Sequence, residues 1–253
     1  MAKKSLGQNF LFDNAILSRI TAAASITKDD LVVEIGPGYG TLTKHLCKAA
    51  KRVLSIEIDE DLYNKLALEL SCFENLELLN FDAMQYDFSQ LGNFKVVANI
   101  PYYITTPILF RLIETAPGLQ SMTLTVQKEV AERIVSQPGC KDYGVLSVAV
   151  QYYGSAEYLF TIPAAAFRPV PKVDSAVVYI DMTHKPDLDI RNRNTFFRVV
   201  KTAFSQRRKM LSNSLKPLFQ DVQESLAEAG IEPTRRPETL SLSEFARISN
   251  ILK

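Results

Sequence analysis

The chain has 253 residues, of which 47% are hydrophobic and 23% are charged, and its formal net charge is +1. This is an ordinary globular composition, which excludes a disordered chain, a collagen and a disulfide-rich scaffold. The three cysteines form no C-x-x-C pair and there are two histidines, so we expect neither a metal site nor a disulfide framework. No apolar run in the sequence reaches the roughly 18 residues of a membrane span.

Apolar runs alternate with helical patterns through the first half of the chain. This alternation predicts right-handed crossovers and a mostly parallel sheet covered on both faces, hence an α/β fold. The predicted strands are 31–35, 53–58, 76–81, 94–98 and 122–126. Helices are predicted over 41–50 and around Leu66, and a further helix is predicted to begin with Thr106 as its N-cap.

The pattern changes in the second half of the chain. Two β-like runs, 158–162 and 175–181, flank a proline-rich stretch and predict an antiparallel pair at the edge of the sheet. From 194 onward the apolar residues follow helical spacing. We therefore expect two domains, an α/β domain at 1–184 and a small all-helical domain at 185–253.

Charge is distributed unevenly along the chain. Residues 29–100 carry twelve acidic and six basic side chains, whereas residues 185–216 carry nine basic and two acidic ones. A basic block of this density can bind a polyanion through contacts with its phosphates. It can equally form the solvated face of a helix, and charge alone does not decide between these interpretations.

A glycine-rich loop follows the first predicted strand. Residues 36–40 read GPGYG, and glycines at this point allow a tight turn and a close approach of the backbone to a ligand. Glu57 ends the second predicted strand, where a carboxylate can accept hydrogen bonds from two ribose hydroxyls. A structural turn is the alternative for the loop alone, but the loop together with Glu57 favours a nucleoside cofactor.

The spacing of the glycines indicates which nucleoside cofactor fits. A dinucleotide fingerprint reads G-x-G-x-x-G, whereas this loop reads G-x-G-x-G and has Thr41 at the position of the third glycine. Glu34, two residues before Gly36, is unfavourable beside a pyrophosphate but suits a cationic sulfonium and amino group. The arrangement favours S-adenosylmethionine over NAD. Asp82, which ends the third strand, is either an acceptor for the adenine amine or a strand-end cap.

The sequence Asn99-Ile100-Pro101-Tyr102 follows the fourth predicted strand, at the edge where open sheets bind ligands. The Asn99 amide oxygen and the Ile100 carbonyl can each accept one N–H of an exocyclic adenine amine and so aim its lone pair at a methyl group. Pro101 stiffens the loop, and Tyr102 can stack on an extracted base. A simple β-turn is the alternative, which the glycine loop and Glu57 on the same sheet make less favourable.

Seven short segments form a recognisable set in chain order. They are LGQNFL at 6–11, EIGPG at 34–38, NIPY at 99–102, QKEV at 127–130, YG-x-LSV at 143–148, FRPVPKVDSAV at 167–177 and F-x-QRRK at 204–209. In this order they resemble the motifs of the small-subunit ribosomal RNA adenine N6,N6-dimethyltransferases, over nearly the whole chain. The resemblance implies a Rossmann-like S-adenosylmethionine-dependent methyltransferase domain followed by a small helical domain.

The resemblance also implies roles for individual residues. The implied cofactor-binding residues are Asn9, Leu11, Gly36, Glu57, Asp82 and Asn99. The implied catalytic residues are Asn99, Ile100, Pro101, Tyr102 and Phe167, with the target adenine between the two aromatic rings. RNA is expected along the basic block, with contacts to Arg207, Arg208 and Lys209. Tyr103 stands where many relatives carry asparagine, and no role is predicted for it.

Members of this family methylate two adjacent adenines in a hairpin loop near the 3′ end of small-subunit rRNA, and each adenine receives two methyl groups. The resemblance therefore implies 16S rRNA in the immature 30S subunit as the partner. From the sequence itself we expect a monomeric, cytoplasmic enzyme that does not bind membranes. Loop adenines suit such a pocket, because unpaired bases cost little to extract.

Three other functions stay open at this stage. A large-subunit (23S) rRNA methyltransferase of the antibiotic-resistance type shares the cofactor loop and the Asn-x-Pro-Tyr motif, but differs in substrate and in its C-terminal helices. A ribosome-assembly factor could use the same fold for binding without catalysis. A nicotinamide-dependent dehydrogenase is disfavoured by the glycine spacing.

Overall fold

The structure is a computed structural model that describes residues 8–206 and 208–252. The described residues form two compact units. The first unit comprises residues 8–131 and 155–184, and the second comprises residues 132–154, 185–206 and 208–252. Among these residues we find no helix with both the length and the apolar character needed to cross a membrane.

Nine strands lie in the first unit, and seven of them form its central sheet. In chain order they are β1 (Phe10–Leu11), β2 (Leu31–Ile35), β3 (Arg52–Glu57), β4 (Leu76–Asn80), β5 (Phe94–Asn99), β6 (Leu119–Gln127), β7 (Ser155–Ile162), β8 (Phe167–Arg168) and β9 (Ser175–Asp181). The order across the sheet is β4-β3-β2-β5-β6-β9-β7. The five strands from β4 to β6 pair in parallel, and β9 is antiparallel to both β6 and β7. The predicted parallel sheet and the predicted antiparallel pair are both confirmed, with β7 at the edge.

The central strands are buried because their sequences are largely apolar. In β2, for example, the four residues after Leu31 are all buried. Burial of successive residues is typical of parallel strands, which are covered on both faces.

The helices of the first unit are α1 (Asn14–Ala23), α2 (Thr41–Ala49), α3 (Glu60–Glu69) and α4 (Thr105–Thr115), and α5 (Lys128–Val135) contains the boundary between the units. The predicted N-cap of α4 is wrong, because Thr106 lies inside the helix and Ile104 is the cap. Pro107 is tolerated there, since the first four N–H groups of a helix have no intrahelical acceptor. A 3₁₀ turn at Tyr102–Ile104 leads directly into α4.

The path of the chain reverses direction between β2 and β5. Strands β2, β3 and β4 follow one another to one side, and the chain then returns to place β5 and β6 on the other side of β2. A reversal of this kind opens a crevice at the carboxyl ends of the two neighbouring strands, where open α/β sheets bind ligands. Because Gly36 follows β2 and Asn99 ends β5, the two predicted motifs meet at this crevice.

A second, two-stranded sheet joins the N-terminal segment to the proline-rich segment. Strand β1 pairs with β8 in antiparallel register, so Leu11 lies opposite Phe167. Both side chains are buried in one apolar cluster with Leu17 and Val177. These two short strands were not predicted, because a two-residue strand carries no readable periodicity.

The second unit is helical, as predicted for residues 194–253. Its helices are α6 (Val145–Tyr153), α7 (Arg193–Phe204), α8 (Leu211–Ser214), α9 (Val222–Glu228) and α10 (Leu242–Ile251). It also includes residues 132–154, which the prediction had placed in the first domain. The reason is aromatic packing: Tyr152 contacts Phe196 and Phe197. The division into a methyltransferase domain and an RNA-binding domain stays a prediction.

Candidate active site

A cavity opens at the carboxyl edge of the central sheet of the first unit. Its wall is built from the N-terminal segment, the glycine loop, the ends of β3 and β4, and the segment after β5. The lining residues are Gln8, Asn9, Phe10, Leu11, Leu17, Glu34, Ile35, Gly36, Pro37, Gly38, Thr41, Leu42, Ile56, Glu57, Ile58, Phe81, Asp82, Ala83, Asn99, Ile100, Pro101, Tyr102, Tyr103 and Ile104. The structure thus brings together every predicted cofactor residue and the whole Asn-Ile-Pro-Tyr sequence.

The glycine loop has a conformation that other residues rarely adopt. Gly36, Gly38 and Gly40 have φ values of 70°, 61° and 70°. A Cβ atom on Gly38 would come within 2.7 Å of the Phe10 ring, and one on Gly40 would come within 2.7 Å of Leu66. Glycine is therefore needed both for the backbone angle and for the close packing of the loop against its neighbours.

Glu57 ties the glycine loop to the end of β3. Its buried carboxylate accepts hydrogen bonds from the backbone N–H of Gly38 at 3.1 Å and of Asp59 at 2.9 Å. Burial raises the pKa of the Glu57 carboxyl above its ordinary value. Each carboxylate oxygen has two lone pairs, so this side chain keeps acceptor capacity for the hydroxyls of a ligand.

Glu34 is the second buried carboxylate of the cavity. One of its oxygens accepts hydrogen bonds from the hydroxyls of Thr43 and Ser55, both at 2.7 Å. Burial raises the pKa of Glu34 to about 7. This group can therefore change its charge near neutral pH when a cation enters or leaves the cavity.

Asp82 occupies the turn that follows β4. Its carboxylate accepts hydrogen bonds from the backbone N–H of Met84 at 2.8 Å and from the Gln85 amide at 3.3 Å. It therefore acts as a cap of this turn while it lines the cavity. The neighbouring Ile58 and Phe81 line the same part of the wall, with 50% and 45% of their surface exposed.

Asn99 joins the end of β5 to the N-terminal segment. Its amide nitrogen donates a hydrogen bond to the backbone carbonyl of Asn9 at 3.0 Å. With the nitrogen engaged in this way, the amide oxygen is the atom that can accept an N–H from a ligand. The next residue, Ile100, donates its backbone N–H to the Thr125 carbonyl at 3.3 Å, which extends the pairing of β5 and β6.

Tyr102 is held in place by a hydrogen bond to the start of β9. Its hydroxyl lies 2.7 Å from the hydroxyl of Ser175, which is fully buried at the start of β9. Partial burial raises the pKa of the phenol, which therefore stays protonated at neutral pH. The ring is half-buried and lines the cavity.

Phe167 departs from its predicted position. Its side chain is fully buried in the cluster that contains Leu11, and it lies outside the cavity wall. The β1–β8 pairing holds it there, so the ring presents no exposed face among the described residues. The stacking role of Phe167 stays a prediction that requires the side chain to leave the core.

Tyr103 is a cavity residue for which no role was predicted. It lines the cavity and 53% of its surface is exposed. The sequence signal was present, since Tyr103 directly follows the Asn-Ile-Pro-Tyr sequence. The resemblance implies no function for a tyrosine at this position, so the sequence alone assigns it none.

The predicted RNA-binding residues lie in the second unit. Arg208 and Lys209 are exposed in the segment after α7. Arg207 lies outside the described residues. No atom of this group belongs to the cavity wall among the residues that the structure describes.

The whole chain, residues 1–253, matches the family model described as "Ribosomal RNA adenine dimethylase". The chain belongs to this family. The Ribosomal RNA small subunit methyltransferase A of Clostridium botulinum (strain ATCC 19397 / Type A) is 46% identical over 256 residues, which cover 98% of this chain and 93% of that protein. The protein of the same name from Clostridium perfringens (strain SM101 / Type A) is 44% identical, with coverage of 98% and 90%.

Two solved structures have the same architecture over nearly all of the chain. A dimethyladenosine transferase from Plasmodium falciparum is similar with a TM-score of 0.80 and 27% identity, covering 94% of this chain and 95% of that one. The 23S rRNA methyltransferase ErmE is similar with a TM-score of 0.77 and 29% identity, covering 96% and 99%. The predicted family, the Rossmann-like methyltransferase fold and the enzyme class, an rRNA adenine dimethyltransferase, are confirmed, and the dehydrogenase alternative is excluded.

Proposed function

We propose that the protein transfers methyl groups from S-adenosylmethionine to the N6 amines of two adjacent adenines in the 3′-terminal hairpin loop of 16S rRNA. Each adenine receives two methyl groups, which gives N6,N6-dimethyladenosine, and the substrate is the immature 30S subunit. The observation that carries the proposal is the meeting of the Asn99–Tyr102 segment, the glycine loop and Glu57 around one cavity, in a chain of this family.

The residues around the cavity fit S-adenosylmethionine. The positive-φ glycines form a backbone cradle that a side chain at Gly38 would fill, and two buried carboxylates, Glu34 and Glu57, stand in its wall. When bound, the cofactor supplies a methyl group on a cationic sulfonium. We assign Glu57 to the ribose hydroxyls, as in other nucleoside-binding sheets. We assign Asp82 to the adenine amine. We assign the remaining contacts to Asn9, Leu11, Gly36 and Asn99.

The Asn99–Tyr102 segment orients the adenine amine. The Asn99 amide oxygen and the Ile100 carbonyl accept its two N–H groups, while Pro101 limits the motion of the loop. Tyr102 stacks on the base, a contact of about 1–3 kcal/mol. Catalysis then comes from proximity and alignment, and the methylated nitrogen becomes acidic enough to lose its proton without a strong general base.

The small subunit is the better-supported source of the target adenines. The relatives named as small-subunit enzymes are 44% to 46% identical to this chain, whereas the 23S rRNA enzyme ErmE is 29% identical. Both similarities cover almost the whole chain, so the lower identity to ErmE does not come from a missing part.

The basic block is the proposed contact with the RNA backbone. It includes Arg207, Arg208 and Lys209 in the sequence, and the described members Arg208 and Lys209 lie in the second unit. Contacts with phosphates position an RNA without reading its sequence, so selection of the adenine is left to the cavity. We further propose that the protein acts as a monomer in the cytoplasm.

The test is a labelling experiment with two substrates in parallel. The purified protein is incubated with tritiated S-adenosylmethionine and with undermethylated 30S subunits or 50S subunits, and the digested RNA is separated by chromatography. We expect labelled N6,N6-dimethyladenosine from the 30S subunits alone. Label in the 50S subunits would instead indicate the resistance-type activity, and tight 30S binding without label would indicate an assembly factor.

Two variants test the assignment of the catalytic segment. Asn99→Ala and Tyr102→Ala should lose methylation while they retain binding of the 30S subunit, since both residues line the cavity of the first unit. Normal methylation by both variants would refute the assignment.

A further inference from the structure

Two adjacent tyrosines follow Pro101, and they face different sides of the sheet edge. Tyr102 and Tyr103 both belong to the 3₁₀ turn before α4. Neighbouring side chains in such a turn are about 120° apart, because it has about three residues per turn. The hydroxyl of Tyr102 reaches Ser175 on β9, and Tyr103, the next residue of the turn, lines the cavity with 53% of its surface exposed.

Tyr103 lines the same cavity as Glu57 and Ile58 at the end of β3 and Phe81 and Asp82 after β4. Partial burial, and then the negative charges of Asp82 and Glu57, raise the pKa of its phenol. In the sheet, β3 and β4 lie to one side of β5 and β9 lies to the other. The Tyr102 hydroxyl is therefore bonded on the β9 side of the sheet, away from the ends of β3 and β4.

The surroundings of Tyr103 indicate the kind of group that it covers. Ile58 and Phe81 line the same cavity with about half of their surface exposed, and so does the Tyr103 ring. Exposed apolar side chains around two hydrogen-bond acceptors, Glu57 and Asp82, suit a ligand with a planar apolar face and polar edges. An adenosine group has this character, and aromatic side chains stack on nucleobases regardless of their identity.

We propose that Tyr103 is a cofactor-binding residue whose ring covers the adenosine part of S-adenosylmethionine, while Tyr102 serves the target adenine. The inference rests on the proposed function, because it uses the assignment of Glu57 and Asp82 to the ribose and the adenine of the cofactor. In this assignment the 3₁₀ turn contacts both substrates, because Tyr103 contacts S-adenosylmethionine and Tyr102 contacts the target adenine.

Calorimetric titration with S-adenosylhomocysteine tests this role without RNA or turnover. Tyr103→Ala should weaken binding by about five- to 150-fold, the range expected for loss of a base–aromatic contact. Tyr103→Phe should bind within about twofold of the unchanged protein, because it retains the ring. Phe12→Ala is the matched control, since Phe12 is 46% exposed in the same unit but lies outside the cavity wall.

Steady-state kinetics supply the second readout. Tyr103→Ala should raise the KM for S-adenosylmethionine and leave the KM for 30S subunits unchanged. Undiminished binding of S-adenosylhomocysteine by Tyr103→Ala, or a rise in the KM for 30S subunits alone, would overturn the inference while the proposed function stands. If the unchanged protein itself failed to bind S-adenosylhomocysteine, the proposed function would fail together with the inference.

Discussion

The hydroxyl of Tyr102 lies 2.7 Å from the buried hydroxyl of Ser175, and this contact joins the segment after β5 to the start of β9. Ser175 belongs to the FRPVPKVDSAV segment, whose aromatic residue, Phe167, is buried in the core. The segment therefore acts on the cavity through a serine that holds Tyr102, rather than through an exposed ring.

Substitution of Ser175 should lower the rate of methyl transfer. In Ser175→Ala the Tyr102 ring loses a hydrogen bond of about 0.5–1.5 kcal/mol, so we expect kcat to fall by about two- to tenfold. Binding of S-adenosylhomocysteine should not change. The measurement is single-turnover methylation of 30S subunits together with calorimetric titration.

Tyr102→Phe provides the matched partner for this test. It removes the other hydroxyl of the same hydrogen bond and keeps the ring for stacking. If the contact acts as a unit, the double variant should be no slower than the slower single variant. Additive losses would show that Ser175 acts independently of Tyr102.

Gly38 should be intolerant of alanine for two separable reasons. Its φ of 61° costs an L-residue roughly 1–2 kcal/mol, and the added Cβ would approach the Phe10 ring to 2.7 Å. Gly38→Ala should therefore lower the melting temperature and weaken binding of S-adenosylhomocysteine. Differential scanning calorimetry and titration would measure the two effects.

Gly230→Ala isolates the backbone contribution. Gly230 has a φ of 67°, but its added Cβ would meet no described atom within 4 Å. This variant should show the backbone strain without the clash and should bind S-adenosylhomocysteine normally. Equal loss of stability in both variants would mean that the loop accommodates the Cβ at Gly38.

Glu34 should make the stability of the protein fall as the pH rises towards neutrality. Its carboxyl has an ordinary pKa of 4.5, which burial raises to about 7 in the folded protein. The folded state therefore favours the protonated Glu34 carboxyl. The contribution of this group to the free energy of unfolding is fully present below pH 4.5 and is lost as the pH rises through 7. At 1.36 kcal/mol per pH unit, this amounts to about 3 kcal/mol.

Glu34→Gln should remove this part of the pH dependence. The glutamine amide oxygen can still accept hydrogen bonds from Thr43 and Ser55. Urea unfolding at several pH values between 4.5 and 8 should give a flatter profile for Glu34→Gln, and an unchanged slope for Glu74→Gln, which removes an exposed carboxylate. Parallel profiles for Glu34→Gln and the unchanged protein would contradict the expectation.

Charge reversal in the basic block should weaken RNA binding more than cofactor binding. For the double variant Arg208→Glu and Lys209→Glu we expect at least about a tenfold loss of affinity for 30S subunits and a smaller salt dependence, because fewer counterions are released. Arg207→Glu together with Arg208→Glu should behave in the same way. Filter binding at several salt concentrations gives both quantities.

Lys51→Glu is the control for a general effect of added negative charge, because this lysine is exposed in the first unit. It should bind 30S subunits with nearly the original affinity. An unchanged salt slope in the double variant would mean that the basic block is a solvated surface.

The parts of the fold that could be predicted are those where local pattern and tertiary position agree. Strands β2 to β6 are apolar runs bounded by turns, and the glycine loop, Glu57 and Asn99 stand at their carboxyl ends. Positions that depend on distant contacts could not be predicted. Phe167 is buried because β8 pairs with β1, and residues 132–154 join the second unit because Tyr152 packs on Phe196 and Phe197.

The pairing of Phe10 and Leu11 with Phe167 and Arg168 sets an order of events during synthesis. The two strands are separated by most of the chain, and contacts between such distant segments form late in folding. Residues 10–11 can pair with residues 167–168 only after the later pair has left the ribosome. A nascent chain therefore carries the glycine loop and Glu57 early, but it fixes β1, whose residues Phe10 and Leu11 line the cavity, only after about two thirds of the chain has been made.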